Sequence, residues 1–364
     1  MSGKKITMKQ LLLLFACLQF SFLLKAQDPV FSQFNFNKLY LNPAFAGYNG
    51  GLFVSGNNHN HLVDVPGDFR TMSVSADMQI PCNNLGIGFI GINHKEGQVS
   101  LLTNSFGIMG SYIKLLKETN TRSSHHLSAG LSLRYVQTRL DLSQAIFSSQ
   151  LDNVDGVLGV APNTDITREQ VSYMDNDFGV IYNFNKYNRE THTISLSASH
   201  IGFLTNPDES IQNRSVRRPF KTTLYYSFYK PYSVGKYSWG FSPHFLIQNQ
   251  NKLNHFTFGI YFFGNVENKT VEGNGIFMGL FYRNSPYPNF KDANSLLMTI
   301  GLGGLNLSNN NGGKVSFAYS LDIPNRGLNL GTSHEFSVRF HFEKYTPFCK
   351  GSSKRLMDCN NFIQ

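Results

Sequence analysis

Two closely spaced histidines are the first candidates for chemistry in this sequence. In the stretch NHNH (58–61), His59 and His61 would share one face of a β-strand, a spacing that could hold a metal ion. No third ligand lies nearby, and no cysteine has the CxxC or CxxH spacing of a structural zinc site. The sequence therefore favours solvated loop histidines over a metal site. His125 and His126, in an expected turn, are interpreted in the same way.

Motifs of the common hydrolases are missing. Neither G-x-S-x-G nor H-E-x-x-H occurs, and the Gly-rich run GLGGLNLSNNNGG (301–313) lacks the Lys-Ser/Thr pair that holds a phosphate. An Asp-His pair of a membrane-embedded protease could form only in space, and nothing in the sequence raises that expectation. The sequence therefore predicts no enzyme, no catalytic residue and no cofactor.

The composition favours a membrane barrel. Charged residues make up 15% of the 364 residues and aromatic residues 14%, while mean hydropathy is only −0.23. Soluble proteins carry about 25% charged residues, which argues against the alternative, a soluble β-sandwich. Strands that alternate lipid-facing and lumen-facing residues produce this balance. The net charge of +9 is spread without a basic block, so no nucleic-acid partner is expected.

The first 26 residues have the pattern of a secretory signal peptide. Lys4, Lys5 and Lys9 precede an apolar core from Leu11 to Leu24, and small-residue cleavage is expected before Gln27. The rival interpretation is a lipoprotein signal that ends at Cys17. After this leader no run of 18 apolar residues occurs, so no transmembrane helix is predicted.

Three cysteines follow the leader: Cys82, Cys349 and Cys359. Export implies an oxidising compartment, in which Cys349 and Cys359 could close the short tail CKGSSKRLMDC as a local disulfide. Whether they pair stays open, and Cys82 would then be a free thiol.

Alternating residues predict β-strands along the rest of the chain. In HEFSVRFHFE (334–343), Phe336, Val338 and Phe340 share one face, whereas a helix would scatter them around its surface. About fourteen such segments occur, an even number as in single-chain bacterial barrels. They lie near 51–60, 69–79, 85–94, 103–116, 125–138, 174–184, 191–200, 219–229, 236–248, 254–264, 273–283, 293–303, 313–323 and 333–345.

The connections fit an all-β transmembrane antiparallel barrel with both ends in the periplasm. The short segments 80–84, 183–190 and 230–235 would then be periplasmic, and the long ones near 139–173 and 201–218 external, as the barrel rule requires. Arg134 and Asp177 are lone charges within strand patterns. Because charge on the lipid face is costly, we expect them to point inward and pair across the lumen.

The segment QDPVFSQFNFNKLYLNPAFAG (27–47) resembles the N-terminal signature of the PorP/SprF family, outer-membrane proteins of the type IX secretion system of Bacteroidetes. The matching residues are Asp28, Pro29, Phe31, Ser32, Gln33, Asn42, Pro43, Ala44, Ala46 and Gly47.

Further stretches extend the resemblance over essentially the whole mature chain. Segments 133–152 and 195–210 are similar to strand-and-loop stretches of the family. GTSHEFSVRFHF (331–342) is similar to its closing strand, with His334 and Glu335 as the matching pair. The signature residues are expected to be structural or partner-binding.

The resemblance implies a barrel in the cell outer membrane that supports secretion or surface display of large proteins, such as gliding adhesins with a C-terminal sorting domain. The implied partners are the secreted adhesin or its sorting domain, periplasmic and outer-membrane type IX components, and outer-membrane lipid. The alternative function is a diffusion channel or transporter for small or hydrophobic solutes, which a deletion mutant would distinguish.

Four regions are therefore expected: a signal peptide (1–26), a periplasmic N-terminal segment (27–50), the barrel (51–345) and a C-terminal tail (346–364). Residues 27–47 contain Phe31, Phe34 and Tyr40, which are costly to leave in water. We expect this segment to line or plug the inner mouth of the barrel, with Pro43 bending the chain towards the first strand.

Overall fold

A computed structural model of the chain describes residues 28–61, 63, 67–80, 84–97, 101–118, 123–141, 151–152, 156–157, 170–186, 190–202, 218–234, 237–251, 253–265, 275–284, 294–308, 313–324 and 331–342. The chain divides into two units, Met1–Val30 and Phe31–Gln364. Of the first unit, residues 28–30 are described, and they form neither helix nor strand. The predicted leader, Cys82, Cys349 and Cys359 lie outside the described residues.

The described part of the second unit is almost entirely β-structure. Its strands are β1 Leu52–Asn60, β2 Arg70–Ile80, β3 Leu85–Glu96, β4 Leu101–Glu118, β5 Ser124–Leu140, β6 Leu151–Asp152, β7 Gly156–Val157, β8 Gln170–Lys186, β9 Glu190–Ser199, β10 Lys221–Val234, β11 Tyr237–Gln250, β12 Leu253–Asn265, β13 Gly275–Asn284, β14 Asn294–Ser308, β15 Gly313–Pro324 and β16 Ser333–Phe342. Two short helices precede β1: α1 (Lys38–Leu41) and a 3₁₀ helix (Pro43–Phe45). Neither they nor any other helix among the described residues has the length and apolar character needed to cross a membrane.

Fourteen of these strands form one closed antiparallel barrel, and β6 and β7 pair separately. Each strand pairs with its neighbours in sequence order, and the sheet closes where β16 pairs with β1. Leu52 of β1 lies opposite both Phe342 of β16 and Met78 of β2, so β1 has a partner on each side. The predicted all-β antiparallel barrel of about fourteen strands is confirmed.

The barrel wall sorts apolar side chains to its outer face. Ile108 of β4 and Leu131 of β5 point outward and are each 64% exposed. Their neighbours along the strands, such as Ser111 and Ser132, point inward and are buried. An exposed apolar band over a polar interior is the arrangement of a barrel in lipid and excludes the soluble sandwich, whose outer faces would be polar.

The two ends of the barrel differ in their connections. At the end where β1 begins, strands are joined by short segments such as 187–189 and 235–236. At the opposite end lie the long connections 141–169 and 200–220, the first of which contains β6 and β7. Outer-membrane barrels carry short turns at the periplasmic side and long loops outside. We call these two ends the inner end and the outer end.

Residues 31–51, which we call the luminal segment, lie inside the barrel. All of them are buried except Lys38 and Tyr40, which are half-buried. They contact inward-facing residues of strands from β1 around to β16, described below. The core is therefore the filled lumen rather than a layer between two sheets.

Candidate functional site

The luminal segment turns at Asn42 and Pro43. Helix α1 ends at Leu41. Asn42 follows it with an extended backbone, and the Asn42 side chain accepts a hydrogen bond from the Ala44 amide at 2.8 Å. Pro43 occupies the first position of the 3₁₀ helix, where its fixed φ suits the helix and its missing N–H costs nothing. Asn-Pro-Ala therefore works as a cap and a turn.

Asn42 also bridges two strands of the wall. Its amide nitrogen donates to Ser195 Oγ at 2.8 Å and to the Leu196 carbonyl at 3.0 Å, both on β9. Gly179 on β8 leaves the room for this side chain, because a Cβ at Gly179 would lie 1.8 Å from Asn42 Oδ1. The contact thus requires an asparagine on the segment and a glycine on the wall.

The small residues after Asn42 pack in close contact with two other glycines of the wall. A Cβ at Gly130 would lie 2.5 Å from the Ala44 nitrogen, and one at Gly86 would lie 2.0 Å from the Ala46 carbonyl oxygen. Gly47 has φ +65°, and its amide donates to Asp77 Oδ2 at 2.9 Å. A side chain at Gly47 would meet both backbone strain and the wall.

Serines of the wall hold the main chain of the same part of the segment. Ser128 donates to the Ala44 carbonyl at 2.9 Å, and Ser111 donates to the Ala46 carbonyl at 2.6 Å. These bonds satisfy buried carbonyl groups that the short helices leave without partners.

Glu335 anchors the beginning of the segment. Its carboxylate Oε2 accepts from the backbone amides of Ser32 at 2.6 Å and Gln33 at 3.0 Å. Gln33 in turn donates from Nε2 to the Glu335 carbonyl at 2.8 Å, and Asn57 donates to Oε1 at 3.2 Å. The site therefore joins the N-terminal signature residues to the signature residue of the last strand.

Two arginines of the wall donate hydrogen bonds to backbone carbonyl groups of the luminal segment. Arg283 donates to the Phe31 carbonyl at 3.0 Å and pairs with Asp322 at 2.9 Å. Arg339 donates to the Asn35 carbonyl at 2.5 Å, and its guanidinium lies 4.5 Å from the centre of the Phe36 ring. Charged donors strengthen these bonds where water is excluded.

Aromatic residues of the wall cover the apolar side chains of the segment. The Phe34 ring meets Phe281 edge to face at 5.5 Å and Tyr225 at 6.0 Å. Phe45 meets Tyr48 within the segment at 5.2 Å. Such pairs add to the gain from removing these large rings from water.

The luminal segment reaches further than the inner mouth, where the sequence placed it. Gly47 meets β2 and β3 at their inner ends. Phe31, in contrast, contacts Arg283, one residue from the outer end of β13, and His59, one residue from the outer end of β1. The segment therefore runs through the lumen towards the outer end, since its aromatic residues find partners along the whole wall.

The remaining signature residues lie elsewhere. Asp28 and Pro29 belong to the first unit and are partly buried. His334 points outward on β16, and its Nδ1 lies 2.5 Å from Tyr319 Oη. His334 and Glu335 therefore occupy opposite faces of the wall. The possible disulfide of Cys349 and Cys359 lies outside the described residues and stays a prediction.

The favoured interpretation of His59 and His61 as solvated loop histidines is wrong. His59 is an inward residue of β1 and is 1% exposed, and its ring centre lies 3.6 Å from that of His61. Residues 58–60 complete β1, so His59 enters the lumen, whereas His61 directly follows the strand and is half-buried. Among the described residues, no three His, Cys, Asp or Glu side chains group as metal ligands.

A buried ion cluster lies near the outer end. Arg134 pairs with Asp177 at 2.8 Å and with Asp175 at 3.0 Å. His200 Nδ1 lies 2.7 Å from Asp175 Oδ2, and the His200 backbone has φ +60°. The inward pairing of Arg134 and Asp177 is confirmed, although it joins adjacent strands rather than crossing the lumen. Asp175 and His200 were not predicted as members of this cluster, although Asp at alternate positions 175 and 177 of a strand pattern was the available signal.

A closed barrel with an apolar outer face and a filled lumen defines an integral outer-membrane β-barrel protein. A family model described as "Type IX secretion system membrane protein PorP/SprF" matches residues 23–340. The chain therefore belongs to the PorP/SprF family of type IX secretion system membrane proteins, and its location is the outer membrane.

Solved barrels resemble the chain only weakly. A FadL homologue from Pseudomonas aeruginosa superimposes with a TM-score of 0.45 at 13% identity, covering 85% of this chain and 93% of the homologue. Omp33 from Acinetobacter baumannii gives a TM-score of 0.41 at 8% identity, covering 81% of this chain and 100% of Omp33. A mutant of the monoaromatic hydrocarbon channel TodX gives 0.45 at 8% identity, with 84% and 94% covered. No curated protein matches the sequence.

Proposed function

We propose that this barrel supports the secretion or cell-surface display of large surface proteins, such as gliding adhesins that carry a C-terminal sorting domain. The observation that carries the proposal, beside family membership, is a lumen occupied by a fixed segment of the chain itself. Such a barrel acts as a docking and anchoring element rather than as an open conduit. Its role is non-enzymatic, and its further partners are periplasmic and outer-membrane type IX components.

The occupied lumen argues against the alternative, a diffusion channel for small or hydrophobic solutes. The luminal segment is held by contacts on strands all around the barrel, so solute passage would first require it to leave. A cavity beside Phe34 and Leu246 has a volume of about 10 Å³, room for about one water molecule rather than a solute.

The long outer connections are the parts that would meet a cargo protein. The buried ion cluster joins the strands from which they start: Arg134 lies on β5 before 141–169, Asp175 on β8 after it, and His200 begins 200–220. Loops that vary on a rigid wall are the usual location of recognition surfaces. The cluster would fix the positions at which both loops leave the barrel.

Deletion of the gene tests the proposal. We expect loss of a specific large protein from the cell surface while solute uptake is unchanged, with recovery when the gene is restored. Normal surface display combined with altered permeability would overturn the proposal and favour the channel.

An exchange of loops tests where recognition occurs. Replacing 141–169 and 200–220 by the loops of a relative should change which protein is displayed. Exchange of the inner turn 187–189 is the matched control and should leave the cargo unchanged. An unchanged cargo after the outer exchange would place recognition in the lumen or on the periplasmic side.

A further inference from the structure

We propose that the lipid-facing side of β2–β5, at the outer end of the barrel, binds the phosphorylated headgroup of a glycolipid in the outer leaflet of the membrane. The site is a line of side chains across these four strands, which we call the basic row: Arg70, Lys95, Leu102 and Arg139. The inference rests on the location of the chain in the outer membrane and does not depend on its cargo.

The register of the sheet places the basic row in a straight line. Arg70 of β2 lies opposite Lys95 of β3. Leu102 of β4 lies between Lys95 and Arg139 of β5. These side chains point outward, because their neighbours along the strands, such as the buried Thr71, face the lumen. Neighbouring strands are about 4.8 Å apart, so the row spans about 14 Å.

The basic row is confined to one side of the barrel. At the outer end of the other side, polar residues on the lipid face are neutral amides, such as Asn284, which donates to Asn294 at 2.7 Å. A polar rim therefore needs no cations, and their position on β2, β3 and β5 calls for a separate explanation. In the described strands β11–β16, every Asp, Glu, Lys and Arg is buried: Arg283, Lys314, Asp322, Glu335 and Arg339.

The cations of the basic row are incompletely balanced by the protein. Like charges directly opposite each other on adjacent strands are destabilising, as at Arg70 and Lys95. Lys95 Nζ pairs with Asp68 at 3.0 Å, and Asp141 lies two residues beyond Arg139. Three cations against two acids leave the row positive. Both guanidinium groups are on exposed residues, and arginine binds phosphate oxygens in pairs.

A row of amide side chains lies directly beneath the basic row. Asn93, Asn104 and Gln137 occupy the next outward positions on β3, β4 and β5, and Asn93 donates to Asn104 at 2.7 Å. Amides both donate to and accept from hydroxyl groups, as sugar binding requires. Beneath them the wall becomes apolar, with Phe106 and Tyr135 exposed. The wall therefore offers successive contacts to acyl chains, sugar hydroxyls and phosphates.

The height of the basic row favours a glycolipid over an ordinary phospholipid. Leu102 and Arg139 are each four residues, about 13 Å along the strand, from Phe106 and Tyr135 respectively. At a strand tilt of about 40°, the row lies roughly 10 Å above this edge of the apolar band. The headgroup layer of a phospholipid leaflet is only about 5–8 Å thick. A headgroup that carries its phosphates on sugars extends further and can meet both rows.

Titration with a purified glycolipid tests the site. The probe is bisphosphorylated lipid A, an acylated disaccharide with two phosphates, added to the delipidated barrel in detergent and followed by native mass spectrometry. We expect saturable binding to the wild type. The double variant Arg70→Gln/Arg139→Gln should bind roughly tenfold or more weakly, because charged bonds to phosphate are lost. Unchanged affinity in the double variant would overturn the site.

Two further variants separate the basic row from charge in general. Lys114→Gln is the matched control, since Lys114 is exposed on the lipid side of β4 at its inner end, and its affinity should stay within about twofold of wild type. Asp68→Asn should strengthen binding roughly twofold to threefold, because it frees Lys95 for phosphate. Weakening by Lys114→Gln equal to that of the double variant would contradict a local site. Migration in gels with and without heating verifies that each variant is folded.

Other probes identify the part of the lipid that is recognised. Dephosphorylated lipid A and phosphatidylglycerol should each bind about tenfold more weakly than the bisphosphorylated form. A large excess of inorganic phosphate should not displace lipid A. Equal binding of the dephosphorylated form would show that phosphate is not recognised. Equal binding of phosphatidylglycerol, or displacement by inorganic phosphate, would show that any anionic lipid or a free anion occupies the row. Each of these results would overturn the glycolipid site.

Chemical labelling gives a second measurement on the unaltered chain. Phenylglyoxal modifies accessible arginines, and peptide mass spectrometry locates the product. Lipid A should slow the labelling of Arg70 and Arg139 about threefold or more, whereas dephosphorylated lipid A should leave it unchanged. Labelling of both arginines at the same rate with and without bisphosphorylated lipid A would overturn the inference, whatever the variants show.

Discussion

The substitution Gly179→Ala tests whether Asn42 of the luminal segment is seated against β8 as described. The added Cβ would lie 1.8 Å from Asn42 Oδ1 and 2.5 Å from Asn42 Cγ. Carbon and oxygen cannot approach so closely, and Gly179 lies in the backbone of β8, which two neighbouring strands hold in register. The Asn42 side chain must therefore rotate away from β8. A single methyl group at position 179 would thus remove Asn42 from its contacts with the wall.

The size of the effect follows from the bonds that Asn42 makes. It loses its bonds to Ser195 and Leu196, and the Ala44 amide loses its acceptor. At roughly 1 kcal/mol for each hydrogen bond, the loss is about 3 kcal/mol, before any strain from crowding. A change of that size increases the population in which residues 38–48 have left the wall roughly 100-fold.

Amide hydrogen exchange of residues 38–48, followed by mass spectrometry, measures that population. Asn42→Ala alone should accelerate exchange about as much as Gly179→Ala. The double variant should exchange no faster than Asn42→Ala, because the new methyl group then enters the space that Asn42 left. Gly110→Ala is the matched control, since a Cβ there meets nothing within 4 Å. Two results would refute the seating of Asn42 against β8. One is a wild-type rate of amide exchange in residues 38–48 of Gly179→Ala. The other is an exchange rate in the double variant that reflects the sum of the two single effects.

Other expectations concern the ion cluster, the tail and the order of folding. Arg134→Met should destabilise the barrel by about 3–5 kcal/mol, because Asp175 and Asp177 stay buried without their cation; an unchanged thermal midpoint would contradict a buried pair. Cys349 and Cys359, if paired, should show a two-dalton mass increase for the peptide pair on reduction, and alkylation of both thiols without reductant would exclude the bond. During refolding into detergent, pulse-labelled amides of residues 41–48 should gain protection before those of 31–37, and the reverse order would count against the contacts assigned to each half.

Most of the barrel could be predicted from the sequence because its signal is local. Strand β16, for example, alternates Phe336, Val338 and Phe340 with polar neighbours, and the structure turns these two sets to opposite faces. The predicted strand ends were less accurate where polar stretches continue a strand. For NHNH the strand near 51–60 was predicted, but His59 was expected to be solvated; it is buried because polar residues are normal on the inner face of a barrel.

The site could be predicted only in part, since its contacts join residues far apart in the sequence. Ser32 and Glu335 are separated by 303 positions, and no local pattern shows that an amide of one meets the carboxylate of the other. Resemblance to the family marked both residues but not their contact. Gly130 and Gly179 looked like ordinary strand glycines, and only the luminal segment explains why a side chain does not fit there.

The division of contacts between the two halves of the segment follows from barrel closure. Residues 41–48 make hydrogen bonds to strands from β2 to β9, which follow the segment in the chain. Residues 31–37 also bond to Ser73 of β2 and Tyr225 of β10, but their charged partners are Arg283 of β13 and Glu335 and Arg339 of β16. Glu335 can face the lumen beside Asn57 only after β16 has paired with β1, the step that closes the sheet. Seating of Ser32 and Gln33 on Glu335 therefore requires a closed barrel, whereas the hydrogen bonds of residues 41–48 to β2 to β9 can form on the first half of the wall before closure.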